Sequence, residues 1–332
     1  MADLRTTYMG LDLKNPIIAG ASTMTANMDK IKKIEEAGAG ALVIKSLFEE
    51  QIQLESYKLE QDLTKYDERH AEMTTIFPRL EHAGSAEHLM WVNKAKDSVD
   101  IPVIASLNAV NHESWIKYAK ELEGTGVDGL ELNFYTAPYD MNESSDAMEK
   151  KQLDIAKAVL KEVKIPIVIK MSPFYGNPLH FIAKLDKEKV AGFVLFNQMF
   201  QPDINILNEK NTFPFNLSDN KDYRLPLRFA GLLHGEINAS ICTSSGIFTG
   251  QDVVKMLLAG ADCVQVVSTL YTNGIDHIKS MLNDVESWME TKGYSTLADF
   301  RGKLSRANSA DPWIYKRAQY VRLLLRESPT ND

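Results

Sequence analysis

Residues 241–274 read Ile-Cys-Thr-Ser-Ser-Gly-Ile-Phe-Thr-Gly-Gln-Asp-Val-Val-Lys-Met-Leu-Leu-Ala-Gly-Ala-Asp-Cys-Val-Gln-Val-Val-Ser-Thr-Leu-Tyr-Thr-Asn-Gly. In order they spell a strand, a tight turn of small residues, a helix, a second strand and a second small-residue turn. Ser245 and Gly246 are small and glycine tolerates positive φ, so backbone N–H groups around them can close on an anion. Ser268 and Thr269 follow the apolar run Cys263 to Val267 directly and can complete a cradle from the neighbouring strand. In β/α barrels a phosphate site forms on the loops after the last two strands. A cofactor or substrate with a phosphate tail is the first expectation, set against an ordinary loop with a helix cap.

Working outward, one joint recurs: a helix end, a glycine, a small or acidic residue, then an apolar run that closes on a polar side chain. It precedes Ala41–Lys45, Gly129–Asn133, Phe193–Asn197 and Cys263–Ser268. Glycine suits the residue after a helix, and a continuous apolar run suits a parallel strand covered on both faces. Strands introduced by proline (Asn15–Ala19, Ile101–Ala105, Ile165–Ile169) and Asn238–Ile241 bring the total to eight. Helical spacing runs through Met28–Ala37, His112–Glu123, Ala147–Val163, Pro178–Leu185, Gly250–Ala259 and Ile275–Thr291. Alternating strands and helices, eight strands and no Gly-x-Gly-x-x-Gly turn after the first strand favour a (β/α)8 TIM barrel over a doubly wound sheet. The chain is expected to be one domain over residues 1–332, with long connections at about 49–82 and 198–235 that cap or line the site. The tail over about 296–327, with Arg301, Trp313, Tyr315, Arg317 and Tyr320, is expected to be a packed terminal helix or a dimer element.

Composition narrows the function. At 332 residues and 44% hydrophobic content the chain can bury one large core. A net charge of −8 without a basic stripe argues against a nucleic-acid partner and for a small-molecule substrate. Cys242 and Cys263 lie in strand-like runs without metal-ligand spacing, so neither a disulfide framework nor a metal site is expected, and a reducing cytoplasm fits. No run approaches the ~18 apolar residues that span a bilayer, and no membrane association is expected.

The polar residues that close the strands, Lys45, Asn108, Asn133, Lys170, Asn197 and Ser268, would meet at the carboxyl ends of a barrel, where active sites form. Lysines and asparagines supply charge and amide hydrogen bonds without a strong acid or base. A flavin fits such a lining, because a lysine beside its N1 and O2 edge stabilises the reduced ring.

Asn15-Pro16 to Ser22, Ile44-Lys45-Ser46, Glu131-Leu132-Asn133, Ile169-Lys170-Met171-Ser172-Pro173, Asn197 and Ser245 to Asp252 together resemble the dihydroorotate dehydrogenases, FMN-dependent barrels, closest to the soluble class 1 type and to a divergent subgroup of it. The resemblance implies an oxidoreductase that moves a hydride from dihydroorotate, or a related cyclic or carboxylated compound, to flavin N5. It implies cofactor contacts from Gly20, Ala21, Lys45, Ser46, Asn108, Asn133 and Lys170, with Ser245, Gly246, Ser268 and Thr269 at the phosphate. Lys45, Asn133, Asn197 and Gln198 would orient substrate. A soluble acceptor such as fumarate or a partner subunit would reoxidise the flavin, and a homodimer is expected.

The chain departs from the family where Glu-Leu-Asn runs on into Phe134-Tyr135-Thr136-Ala137-Pro138-Tyr139-Asp140. Thr136 stands in the position of the Cys or Ser base, with Tyr135, Tyr139 and Asp140 as candidate helpers. The family's Asn-rich substrate loop is not recognisable near Thr74–Pro78, and Gln198 replaces a serine. Arg224 and Arg228 are expected to form surface ion pairs rather than a carboxylate fork. Two other readings stand beside the dehydrogenase: a flavin-binding barrel without the base, and a phosphate-binding lyase or aldolase using Lys45 or Lys170 as a Schiff-base amine.

Overall fold

The glycine joints work as their chemistry requires, with Gly38, Gly126 and Gly260 all at positive φ where a helix hands over to a strand. The computed structural model describes residues 2–50, 52, 83–135, 140–199, 202–212, 217–311 and 314–316. Thr136, Tyr139, the Thr74–Pro78 stretch, most of the 49–82 connection, Trp313, Arg317 and Tyr320 lie outside the described residues.

Eight parallel strands close a barrel in chain order: β1 (Ile17–Ala19), β2 (Ala41–Phe48), β3 (Val103–Asn108), β4 (Gly129–Phe134), β5 (Ile167–Met171), β6 (Gly192–Leu195), β7 (Ser240–Ser244) and β8 (Cys263–Val266). The seam pairs Val264 of β8 with Ile17 of β1 and Gln265 with Ile18. Around the barrel run α1 (Met28–Glu36), α2 (Ala83–Lys96), α3 (His112–Glu123), α4 (Ser145–Glu162), α5 (Pro178–Lys187), α6 (Arg224–Leu233), α7 (Gly250–Ala259), the short α8 (Ser268–Asn273) and α9 (His277–Lys292). The TIM-barrel expectation holds.

The two-residue period of each strand makes two cores. Outward residues such as Leu42, Ile44, Leu130, Leu132, Ile167 and Ile169 pack against the helices. Inward residues Ile18, Ala41, Val43, Ile104, Val168, Val194, Cys242 and Cys263 fill the lower lumen. A hairpin of Thr6–Tyr8 and Leu11–Leu13 plugs that end and buries Tyr8, Met9 and Leu13 among them. Each such side chain contributes about 1.5–3 kcal/mol of burial. Gly192 is a packing glycine, since a Cβ there would come within 2.9 Å of Val168 Cγ1 and 3.3 Å of Tyr8 Cε2.

Several expectations are corrected. The joint before β6 takes its left-handed residue at Lys189, not at the glycine. The 198–235 connection holds a small hairpin (Asp203–Asn205 with Lys210–Thr212) and all of α6, whose Pro226 sits in the first turn, where a missing N–H costs nothing. Helix α2 also went unread, because its apolar residues do not gather on one face: Val92 and Ala95 are fully covered while Met90 is exposed. The turn after β8 winds into α8. In the tail, residues 296–311 contain one 3-10 turn, Leu297–Asp299, and no longer helix among the described residues. That stretch instead straps α7: Arg301 pairs with Asp262, and Gly302 and Leu304 donate N–H bonds to the Leu257 and Leu258 carbonyls at 2.8 and 2.9 Å.

Candidate active site

Toward the carboxyl ends of the strands the lumen changes from apolar to polar. Two residues above the lower tier stand Ser106 on β3, Glu131 on β4, Lys170 on β5 and Gln265 on β8, all buried. Gln265 accepts from Lys170 Nζ at 3.2 Å through Oε1 and donates through Nε2 to Glu131 Oε2 at 2.5 Å. Lys170 Nζ stands 3.9 Å from Glu131 Oε1. The Ser106 hydroxyl bonds Ser46 at 2.7 Å and lies 3.4 Å from Glu131.

Above this floor opens a cavity of about 370 Å³, within the range of small-molecule sites. Its wall includes Ala21, Lys45, Ser46, Asn133, Lys170, Asn197, Gln198, Ser245, Gly246 and Ser268, ten of the residues expected from the sequence. Strict alternation would send Lys45 inward and Ser46 outward. A register shift between Ile44 and Leu47 in the β2–β3 pairing breaks that phase, and Lys45, Ser46 and Phe48 all reach the cavity. Asn197 Nδ2 donates to Asn133 Oδ1 at 2.7 Å, which fixes both amides. Among the described residues no carboxylate lies within ion-pair distance of Lys45.

The turn after β7 has the form an anion site needs. Ser245 and Gly246 are both left-handed, at φ 78° and 71°. The Gly246 N–H donates to Ser218 Oγ at 3.1 Å, and the Ser218 hydroxyl and N–H bond Ser268 Oγ at 2.8 and 3.0 Å. One N–H and two hydroxyls therefore meet at one point of the wall. The ordinary cap is also present, one turn later: Thr249 and Asp252 form a reciprocal capping box on α7. Cradle and cap are neighbours, not alternatives.

Three expected residues do not line the cavity. Gly20 belongs to the seam, donating to the Val266 carbonyl at 3.0 Å, and a Cβ there would come 2.7 Å from Val267 Cγ2. Asn108 ends β3 opposite Phe48. Thr269 is buried beneath the wall, its hydroxyl donating to the Phe248 carbonyl at 3.2 Å. Among the described residues Arg228 has no ion-pair partner, and it is not part of the wall; it donates to the Tyr315 carbonyl at 2.7 Å. Asp140 is an exposed turn residue that accepts from the Asn142 N–H at 2.8 Å.

Sequence reading missed Ser218, Tyr271, Thr23, Gln265 and Glu131. Tyr271 and Thr23 share a 2.5 Å hydroxyl bond on the wall. His88 on α2 was also missed; burial, with the positive charge of Lys45 in addition, pulls its pKa down to about 4. Its Nε2 is buried without a partner among the described residues. Among the described residues no group of three His, Cys, Asp or Glu is placed to hold a metal, and no helix is long and apolar enough to cross a membrane.

A closed barrel with a polar-floored cavity at the carboxyl ends of its strands defines a β/α-barrel enzyme of small molecules. The family model for dihydroorotate dehydrogenase matches residues 79–289, more than half of the sequence. The chain belongs to the dihydroorotate dehydrogenase family. It is similar to a dihydroorotate dehydrogenase B (NAD(+)) catalytic subunit of Methanocaldococcus jannaschii, 26% identical over 296 residues that cover 86% of this chain and 94% of that one. The same-named subunit of Thermoplasma volcanium is 26% identical over 311 residues, covering 91% and 98%. A chloroplastic dihydropyrimidine dehydrogenase (NADP(+)) of Arabidopsis thaliana is 23% identical over 342 residues, covering 90% and 76%. The chain is thus a flavin-dependent, dihydroorotate dehydrogenase-like oxidoreductase acting on CH–CH groups, and the lyase and cofactor-only readings are not favoured.

Proposed function

We propose that the chain is a single FMN-binding barrel that oxidises dihydroorotate to orotate. The observation that carries this is convergence: Lys45, Asn133, Lys170, Asn197, Gln198 and the Ser245–Gly246 turn face one cavity. Among the described residues Lys45 has no carboxylate partner, which suits it to the substrate carboxylate, while the bonded amides of Asn133 and Asn197 suit the N–H and C=O groups of a flat ring. The donor set also fits the cofactor. Gly246 N–H with the Ser218, Ser245 and Ser268 hydroxyls would hold a phosphate, and Ala21, Ser46 and Lys170 would border the ring. Gly20, Asn108 and Thr269 would act from behind that wall. When bound, the flavin supplies the hydride acceptor, N5, while the C5 proton of the substrate leaves to a base.

Thr136 takes the base position. A hydroxyl of ordinary pKa needs a neighbour to receive its proton, and Tyr135, the preceding residue, lines the cavity. Reoxidation is assigned to a partner subunit, in keeping with relatives named as catalytic subunits, or to a soluble oxidant such as fumarate. A cytoplasmic homodimer is the proposed form. The test is the visible spectrum of the purified protein, followed by anaerobic addition of dihydroorotate. Flavin bands that bleach support the proposal; bands that persist reject dihydroorotate as reductant, and no bands after FMN addition reject the cofactor.

A further inference from the structure

We propose that Glu131, which does not touch the cavity, is a positioning residue whose buried negative charge, set against Lys170, fixes the net charge at the cavity floor, and so tunes the reduction potential of the cofactor. The inference rests on the flavin reading above and concerns a residue that the reading does not use.

Glu131 is 0% exposed and does not line the cavity, whereas Gln265, at 1%, and Lys170, at 8%, both do. The carboxylate is therefore below the floor and the ammonium in it. Gln265 lies between them, and its orientation is fixed by the charges on either side. Its carbonyl must face the ammonium, which only donates, and its amide must face the carboxylate, which only accepts. Rotating the amide by half a turn would break both bonds. The ammonium is thus held toward the floor through one side-chain amide, with a counter-charge 3.9 Å away. In a buried site that counter-charge is weakly screened, so it reaches whatever sits above Lys170.

A carboxylate at this depth is hard to explain as a stabiliser. Buried ion pairs are commonly neutral or worse compared with apolar residues of the same volume. Next to it, the hydroxyls of Ser106 and Ser46, 2.7 Å apart, carry the polar floor from Glu131 out to the cavity wall. The network is continuous from a fully buried charge to the surface on which a ligand would rest. Such second-layer groups are the protein's means of tuning a cofactor whose chemistry is its own.

The experiment is the midpoint potential of the FMN-loaded protein, equilibrated anaerobically with reference dyes, for the wild type, Glu131→Gln, Glu131→Asp and Lys170→Met. Removing the buried negative charge favours the reduced cofactor. E131Q is expected to raise the potential by ~30 mV or more, a tenfold change in a two-electron equilibrium. E131D keeps the charge and is expected to stay within a third of that shift from wild type. K170M is expected to shift the potential the opposite way. E131Q leaves Lys170 without its counter-charge; should it fail to fold, the neutral pair E131Q/K170M is compared with K170M alone and is expected to lie above it. FMN bound with an unchanged potential in E131Q, or equal potentials in K170M and the double variant, overturns the proposal and leaves the flavin reading intact. A wild-type protein that takes up no FMN overturns both.

Discussion

Replacing Gly246 by alanine tests the anion cradle most directly. At φ 71° an alanine pays about 1–2 kcal/mol for the left-handed conformation. The added Cβ would also land on the Tyr223 backbone nitrogen, 2.7 Å from the Asp222 carbonyl carbon and 3.0 Å from the Asp219 carbonyl oxygen. All three are backbone, so relief requires residues 219–223 to move away from the turn. That segment follows directly on Ser218, whose 3.1 Å bond from the Gly246 N–H would be lost at a further ~0.5–1.5 kcal/mol. The sum, ~1.5–3.5 kcal/mol, falls on the cradle and not on the barrel core. Gly126→Ala is the control, because Gly126 has a similar φ of 79° with nothing within 4 Å of the new Cβ. It carries the conformational penalty alone, at the opposite end of β4. FMN dissociation constants from flavin fluorescence, with thermal melts with and without FMN, separate the effects. Both variants should melt a few degrees lower, but only G246A should lose FMN affinity, by tenfold or more. Wild-type affinity in G246A would refute the assignment of the phosphate to this turn.

Three other perturbations follow from buried groups. Burial works to raise the Glu49 carboxyl, but N–H donors from Val110 and Asn111 and the side chains of Asn111 and Ser114 outweigh it and hold the pKa below the usual 4.5. Because the folded pKa is depressed, this stability is full above the unfolded value and is lost as pH falls through the lower folded one. Glu49→Gln should cost ~1–3 kcal/mol at pH 7, and the gap from wild type in urea melts should close toward acid pH. His88 runs the same way at higher pH: the unfolded chain takes its proton near 6.5 and the native one only near 4, so stability drops as pH falls between those values, where the unfolded state binds more protons. His88→Gln should flatten the stability profile there by ~3 kcal/mol, and an NMR titration with a His88 midpoint near 6.5 would contradict the burial argument. The Tyr8 hydroxyl is fully buried and has no partner among the described residues, so Tyr8→Phe should be neutral or stabilise by up to ~1–3 kcal/mol; a lower melting temperature would show that the hydroxyl is bonded in solution.

The barrel was legible because its punctuation is local. A glycine, a small or acidic residue and an apolar run mark four of the strands without reference to distant residues, a leading proline marks three more, and β7, expected at Asn238–Ile241, lies two residues later at its start, at Ser240–Ser244. Helix α6 was hidden because Pro226 and its polar approach read as loop, although proline in a first turn is compatible with helix. The cavity wall was legible in part, at strand-closing residues such as Lys45, Asn133, Lys170 and Asn197. Ser218 was not: it reaches Gly246 and Ser268 from a connection whose path depends on tertiary packing, and nothing in its neighbours marks it.

Glu131 and Gln265 were missed for a different reason, which also explains why the site lies where it does. Each sits within an apolar run, and a run read as a whole suggests uniform burial. Read at the two-residue period, the inward positions are Ile104 and Ser106 on β3, Val168 and Lys170 on β5, and Cys263 and Gln265 on β8. The intervening residues stay apolar because they face helices along the whole strand. The polar step therefore comes at one height on several strands, and it divides a sealed lower tier from a polar upper one. The Tyr8 hairpin can plug only the apolar end. A charged residue inside an apolar run, two positions before a strand-closing polar one, is thus the signal that was available: burial on both faces of the strand permits a carboxylate only if it points into the lumen and finds its partners there, as Glu131 does with Gln265 and Lys170.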